Sequence, residues 1–221
     1  MCGRFTMFSF EEMLDVARQV EREAQAQQLV LPLPGVADEP HGVAAPAEPE
    51  TLFPDLEPVV ADAFPGSIVP VLAPMNPGLQ VVNLNWGFRV PWSKAPVFNA
   101  RIETAMSGER TMWGESLQRR RCLVAARAFF EPSATETVTS SRTGRAVKRQ
   151  YRFTFPDGAP LFLAAIYEGD SFSVVTCEPN RWVAPVHPRM PLVLHASEAP
   201  LWLTGDHGGL LDRSRVELQV E

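Results

Sequence analysis

The chain is 221 residues long, 45% hydrophobic, and carries a formal net charge of -6. That apolar fraction supports a real core and the length suits one large domain, while the absence of any run of eighteen apolar residues excludes a membrane-spanning helix. The acidity argues at first against a nucleic-acid partner, because phosphates attract cations.

The charge is unevenly spread. Residues 31–66 hold seven carboxylates (Asp38, Glu39, Glu48, Glu50, Asp55, Glu57, Asp62) and no Lys or Arg, so the rest of the chain sums to +1. Residues 110–152 hold ten Lys/Arg against three Glu. Such a basic run is either a solvated surface or a phosphate-facing one. Three widely spaced cysteines, Cys2, Cys122 and Cys177, suit a reducing compartment better than a disulfide framework. No Cys pair has metal-ligand spacing and the histidines lie far from the cysteines, so neither structural zinc nor any cofactor is expected. The first residues show one Arg and no apolar h-region, so no secretory signal is read there. A cytoplasmic location follows as the expectation, nucleoid-associated in a bacterium.

In chain order, the first predicted element is a helix opening at Ser9. Ser9 and Glu12 have capping-box spacing, each side chain matched to a free backbone N–H of the first turn. Phe10, Met13, Leu14 and Val20 fall roughly on one face, and the helix is expected to end near Gln28. Residues 31–66 contain eight prolines together with the acidic run, and read as a loop or extended insertion. From residue 67 the texture changes to short apolar runs cut by turns. SIVPVLAP, LQVVNLNWGF, CLVAARAFF, YRFTF, LFLAAIY, FSVVTC and PLVLHA read as strands, with PDG (156–158) and EGD (168–170) as tight turns between them. Residues 132–149, rich in Ser, Thr and Arg, read as an exposed loop. A short helix is expected after Ser197. The class is α+β, a single domain over residues 1–221 dominated by antiparallel β-sheet, with an N-terminal helix and the Pro-rich acidic insertion.

Four stretches carry groups that can do chemistry: CGRF (2–5), FNARIET (98–104), RCLVAARAFFEPS (121–133) and VHPRMPLVL (186–194). They supply a thiol, an amide (Asn99), arginines (Arg4, Arg101, Arg189), carboxylates (Glu103, Glu131) and an imidazole (His187). Singly, each has an ordinary explanation: a buried cysteine, a strand-end glutamate, a loop histidine, a turn-capping asparagine. Trp86 and Trp92 read more simply as core than as a base-stacking platform. The position of Cys2 is the unusual feature. Removal of Met1 leaves a first residue with an α-amine and a thiol on adjacent carbons.

Together the stretches resemble the SRAP family, the SOS response-associated peptidase domain proteins. The resemblance rests on MCGRF, WGF followed by PW and NARIET, RCLVAARAFFEP, LAAIY and HPRMPLVL, in that order, over residues 1–14 and about 81–203. It implies an SRAP-like fold and a sensor of abasic sites in single-stranded DNA. In the family the mature N-terminal Cys forms a thiazolidine crosslink with the ring-opened sugar aldehyde, and the peptidase name refers to release of what precedes that Cys. Carried over by motif, Cys2 is the crosslinking residue, Asn99, Glu131 and His187 line its pocket, Arg4, Arg101 and Arg189 fall on phosphate-holding positions, and Trp92 lies beside the DNA. The implied activity is autopeptidase and largely single-turnover crosslinking, by a monomer. Two other readings remain at this stage: a single-stranded DNA or protein-binding module that does not crosslink, and an N-terminal cysteine nucleophile amidohydrolase.

The chemistry stands on general grounds. An α-amine titrates near ~7.7–8.0 and a thiol near ~8.5, so a useful fraction of the amine is uncharged at neutral pH and can attack an aldehyde. Thiol attack on the resulting imine closes a five-membered ring, and intramolecular closure lowers the barrier by up to roughly 7–11 kcal/mol. Glu131, in a Phe-rich strand, is the expected proton-transfer group with a raised pKa. His187 can shuttle protons near neutrality, and Asn99 can position the amine or sugar. The chain departs from the family pattern in places. AFPGSIVPVLAP stands where Tyr-Asn-x-Ala-Pro is usual, and AARAFFEP keeps the Glu but loses an Asp-Gly turn and a Trp. Pro91 replaces one of a Trp pair, and C-terminal Pro-Val-Ser and Val-Asn elements are missing. Arg127, in place of the Asp, is expected to add charge near the pocket.

Overall fold

A computed structural model describes residues 2–32, 61–75, 78–108, 111–205 and 207–221. Most of the 31–66 insertion lies outside the described residues. Its last part does not: Asp62–Ala63 forms a strand, so residues 62–63 belong to the sheet rather than to a loop.

The elements follow in order as β1 (Phe5–Met7), α1 (Phe10–Ala26), β2 (Asp62–Ala63), β3 (Ile68–Pro74), β4 (Leu79–Trp86) and β5 (Asn99–Arg101). Short helices α2 (Ile102–Ala105) and α3 (Gly114–Arg119) precede β6 (Arg121–Thr139), β7 (Ala146–Thr154), β8 (Leu161–Glu168) and β9 (Ser171–Cys177). The chain closes with β10 (Met190–Pro191), β11 (Val193–Leu194), α4 (Ala199–Thr204) and β12 (Gln219–Val220). All described strands join one sheet, mostly antiparallel, as the α+β reading expected. β4 and β5 both run parallel to β9. The ladder β8–β9–β4–β3–β6 returns to β8 through a β6–β8 pairing, so these strands close into a ring. Closure leaves few free edges and encloses a core containing Leu72, Leu84, Trp86, Leu123 and Phe172, all buried.

α1 begins as its sequence signature demands. The Ser9 amide donates to Glu12 Oε2 at 2.8 Å and the Glu12 amide donates to Ser9 Oγ at 3.3 Å. Met13, Val16, Ala17, Val20 and Ala24 are buried along one face, whereas Leu14 is exposed. The helix ends at Ala26 with Gln28 in the left-handed region. Arg121 is held between two helix ends, donating to the carbonyls of Leu117 and Gln118 from α3 and of Leu203 from α4. Those carbonyls would otherwise be unsatisfied in a buried place.

Residues 132–149 differ from the expected loop. β6 continues to Thr139 and pairs again with β7 through Thr137↔Lys148, Val138↔Val147 and Thr139↔Ala146, after an irregularity between Pro132 and Thr137. This stretch carries no apolar alternation because both of its faces meet solvent, so no periodicity announced it. Arg127 also lies elsewhere than expected. β1 pairs Thr6 with Ala128 but Met7 with Ala126, so Arg127 is the extra residue of a bulge. Its guanidinium pairs with Glu12 and lies 4.4 Å over the Phe8 ring, on the α1 side rather than in the pocket.

The segment linking β4 to β5 depends on Gly87. Its φ is 122°, and a Cβ there would lie 2.6 Å from Pro96 Cβ. Gly87→Ala is therefore expected to lower stability by roughly 3 kcal/mol, combining a strained backbone with overpacking. Thermal unfolding followed by circular dichroism should show this as a drop of about 10 °C in Tm.

Candidate functional site

The pairing of β1 with β6 brings the start of the chain to Glu131. Phe5 lies opposite Phe129, and the Phe130 amide donates to the Arg4 carbonyl at 3.0 Å. One residue further back, the same register sets Gly3 opposite Glu131, with Cys2 next to it and the Glu131 charge acting on its thiol. Cys2 is fully buried. Its carbonyl accepts from Asn99 Nδ2 at 2.9 Å, and its thiol points to the Arg4 carbonyl at 3.8 Å. Asn99 arrives from another direction, as the first residue of β5 beside Val174 of β9. Trp86 Nε1 donates to the Phe98 carbonyl at 3.0 Å and Ser173 Oγ to the Val97 carbonyl at 2.6 Å, fixing the approach to Asn99. Asn99 Oδ1 is buried and accepts no hydrogen bond among the described residues.

Glu131 has no exposed surface. Its strand neighbour Phe129 stacks on Phe153 at 4.8 Å, and Tyr151 is its cross-strand partner. Burial pushes the carboxyl pKa up to about 7. The charged form loses its hydration there, so the proton is held to a higher pH. His187 Nδ1 lies 3.6 Å from Glu131 Oε2. The turn carrying His187 is organised by Asn180. Asn180 Oδ1 accepts from the amides of Trp182 and Val183 at 3.2 Å each, and its Nδ2 donates to the Val216 carbonyl at 2.9 Å. The Ala134 amide then donates to the Val186 carbonyl at 2.9 Å, tying the turn to β6 just past Glu131.

His187 Nδ1 also sits 2.8 Å from the Arg189 carbonyl and 3.1 Å from the Arg189 amide. The first contact needs a proton on Nδ1 and the second needs a lone pair, so a neutral ring satisfies only one. The shorter contact favours the Nδ1–H tautomer, which makes Nε2 the acceptor. Partial burial holds the imidazole below its ordinary pKa and so on the neutral side at pH 7.

The thiol responds to the same enclosure. Burial first, and then the Glu131 charge, push the Cys2 pKa far up. A thiolate beside a carboxylate would place two negative charges in one dry space. A proton passing from sulfur to Glu131 keeps the total at one. The arrangement thus favours a coupled transfer over a standing thiolate.

The three arginines differ in setting. Arg4 lies 4.0 Å over the Phe130 ring and pairs with Asp62 through contacts of 2.9 and 2.5 Å, while Thr6 Oγ1 donates to the other Asp62 oxygen at 2.6 Å. Arg189 forms a two-point pair with Glu103 at 2.8 and 2.9 Å and donates to the Thr176 carbonyl at 2.7 Å. Arg101 is exposed at the end of β5. Trp92 is 71% exposed, on a loop closed by the Phe88–Val97 bridge. It lines a cavity of about 510 Å³ with Phe88, Met112, Arg120 and Asp170, and none of Cys2, Asn99, Glu131 or His187 lines that cavity. The fold therefore gathers Cys2, Asn99, Glu131 and His187, holds Arg4 and Arg189 next to them in sequence and space, and leaves Trp92 apart. Sequence reasoning missed Asp62 as the partner of Arg4 and Phe130 as its platform. Asp62 was hidden within the acidic run, 58 positions from its partner.

The chain matches the family model described as SOS response associated peptidase (SRAP) over residues 1–215. Among curated proteins it is 29% identical over 157 residues to the abasic site processing protein YedK of Escherichia coli (strain K12), covering 66% of this chain and 64% of that protein. The matched stretch thus spans a little under two thirds of the E. coli relative. It is 26% identical over 219 residues to the abasic site processing protein YoqW of Bacillus subtilis (strain 168), covering 92% and 80%. A crystal structure of a Bordetella bronchiseptica protein shares the fold, with a TM-score of 0.61 at 20% identity over 99% of this chain and 98% of that one.

The buried carboxyl makes stability depend on pH. The native state holds its proton up to about pH 7, whereas an unfolded glutamate releases it near ~4.3. Between those values the folded state binds more protons, so stability falls as pH rises through that window and levels off above it. Glu131→Gln, which stays neutral, is expected to match the wild type at pH 5 and to exceed it at pH 8 by up to roughly 3 kcal/mol. Urea unfolding at the two pH values checks this; curves that stay parallel at both would contradict a raised carboxyl pKa.

Proposed function

The chain belongs to the SRAP family, and from that premise we propose that it captures abasic sites in single-stranded DNA as a covalent thiazolidine at Cys2. The observation that carries the reading is the enclosed carboxyl of Glu131, poised near neutrality, with the Cys2 thiol and the His187 imidazole around it.

Removal of Met1 would uncover the Cys2 amine in this enclosure. The uncharged amine attacks the C1 aldehyde of the ring-opened sugar, giving a carbinolamine. Protonated Glu131 donates to the departing hydroxyl, water leaves, and an iminium that keeps its N–H remains. The carboxylate so formed takes the thiol proton as sulfur bonds to the iminium carbon, whose electron pair returns to nitrogen and leaves it neutral. Aldehyde and aminothiol become a thiazolidine and one water. A carboxyl near pKa 7 serves both directions, because both of its forms are populated at neutral pH. His187 stands beside it to hold the sugar or relay the proton. Asn99 donates to the Cys2 carbonyl and keeps an unused acceptor, suited to an N–H of the uncovered amine.

The strand would be held by its phosphates. Arg4 and Arg189 already bind carboxylates, and a guanidinium fork donates to phosphate oxygens in the same geometry. Arg101 adds an exposed cation nearby, and the open face of Trp92 suits stacking by a base of the flanking single strand. One chain carries all of these groups, so a monomer suffices. The product retains the protein, so each molecule acts once. The Glu131–His187 pair is also the acid–base apparatus through which the chain would release Met1 by itself. The E. coli and B. subtilis relatives are named as abasic site processing proteins, which supports abasic DNA as the target.

Intact-mass measurement tests the reading. Wild-type protein is expected to start at Cys2 and to gain one abasic oligonucleotide less one water. Cys2→Ala should give no adduct unless borohydride traps the imine, since it lacks the ring-closing sulfur. Glu131→Gln should form the adduct roughly 100-fold or more slowly. Release of successive products from amide substrates, with no adduct, would instead identify an amidohydrolase. Salt-dependent binding without an adduct would identify a binding module.

A further inference from the structure

β6 does not stop at the site. From Glu131 it continues outward to Thr139, turns, and returns as β7, so the site carboxyl lies at the root of a two-stranded arm. From Ala134 to Gln150 every residue is exposed except Ser140, which is half-buried. At the usual strand rise the arm reaches roughly 25 Å beyond Glu131. The turn is built tightly: the Ser140 amide donates to the Arg145 carbonyl at 2.9 Å, the Gly144 amide donates to the Ser140 carbonyl at 2.8 Å, and Gly144 takes a φ of 66°. Arg142 and Arg145 therefore stand at the tip, and Lys148 stands partway back, opposite Thr137.

The charges on this arm are not balanced. Its one acidic residue, Glu136, is taken by Arg149 at 3.2 Å and by the Tyr151 hydroxyl at 2.9 Å. Arg152 at the base pairs with Glu221. Arg142, Arg145 and Lys148 have no carboxylate partner among the described residues. Three exposed cations on one arm, without a carboxylate partner among the described residues, leave a positive field that attracts a polyanion. The arm is also continuous with the pocket through its backbone, because Glu131 itself pairs with Tyr151 at the root of the two strands.

We propose that this arm is a second nucleic-acid contact, in which Arg142, Arg145 and Lys148 take the backbone phosphates of the strand that leaves the lesion pocket. The proposal rests on the abasic-site reading for the direction of the strand, but its ligand chemistry, a polyanionic backbone, follows from the arm alone. Phosphate contacts of this kind fix orientation without reading bases, so the arm lengthens the footprint and leaves sequence preference unchanged. The strand then spans from the pocket to the tip, and only oligonucleotides long enough to reach the tip gain from it.

Length and salt separate the arm from the pocket. Binding of an undamaged single strand of roughly 25 nucleotides is measured by fluorescence anisotropy across salt concentrations, for the wild type and for the triple variant Arg142→Ala, Arg145→Ala, Lys148→Ala. The variant is expected to bind about tenfold more weakly at low salt, with the slope of log K against log salt reduced by about 2. Adduct formation with an abasic strand of about five nucleotides, which engages the pocket alone, should stay within about twofold. Arg142→Lys with Arg145→Lys should restore long-strand binding, since phosphates respond to charge. Unchanged affinity and slope in the triple variant, with Tm also unchanged, would overturn the proposal. If the wild type forms no adduct with any abasic strand, the proposed function fails, while binding of the undamaged strand still decides the arm.

Discussion

The site exists because a three-residue strand at the start of the chain pairs with the middle of β6. Phe5 against Phe129 and Thr6 against Ala128 draw the first residues inward, and the Phe5 side chain locks against Trp86 at a ring separation of 4.6 Å. Chain termini are usually mobile and wet. Here the anchor converts a terminus into a core element, and Cys2 enters a space where water is scarce. The other properties follow from that exclusion. The thiol keeps its proton, the Glu131 carboxyl titrates near neutrality, and the imidazole stays neutral. Desolvation leads the causes in each case, with the Glu131 charge adding to it at the thiol.

Around this dry centre two cations are held by partners of their own. Arg4 is pinned by a ring below it and a carboxylate beside it, and Arg189 by Glu103 and a backbone carbonyl. Such pairing preorganises a flexible side chain, so that less rotamer freedom is lost when another oxyanion arrives. The cavity beside Trp92, by contrast, belongs to the loop between β4 and β5, and its walls mix apolar rings with both signs of charge.

Local signals were legible in the sequence, and distant ones were not. The capping box of α1 involves residues three apart, and its hydrogen bonds appear as the spacing of Ser9 and Glu12 implied. Apolar runs such as LFLAAIY and FSVVTC became β8 and β9 because strands buried on both faces need no partner to be recognised. The four residues gathered at the site were visible only through a family resemblance; nothing in their separate spacings says that 2, 99, 131 and 187 meet. The arm was misread because Thr, Arg and Lys on two wet faces leave no apolar pattern. It holds together through its own cross-strand pairs and the Arg149–Tyr151 contact. The bulge at Arg127 depends on what β1 does 120 positions away, so a reading of β6 alone placed its charge on the wrong side.

Sealing the reactive cysteine also has a meaning for the lifetime of the protein. A vicinal aminothiol left in open solvent would be consumed by any small carbonyl compound, or oxidised, before it met a damaged strand. Inside the core it is shielded from casual electrophiles. On the proposed reading, an aldehyde carried on a phosphate backbone would compete with Asp62 for Arg4 and with Glu103 for Arg189. If the protein acts once, as proposed, burial keeps its one thiol intact until a damaged strand arrives.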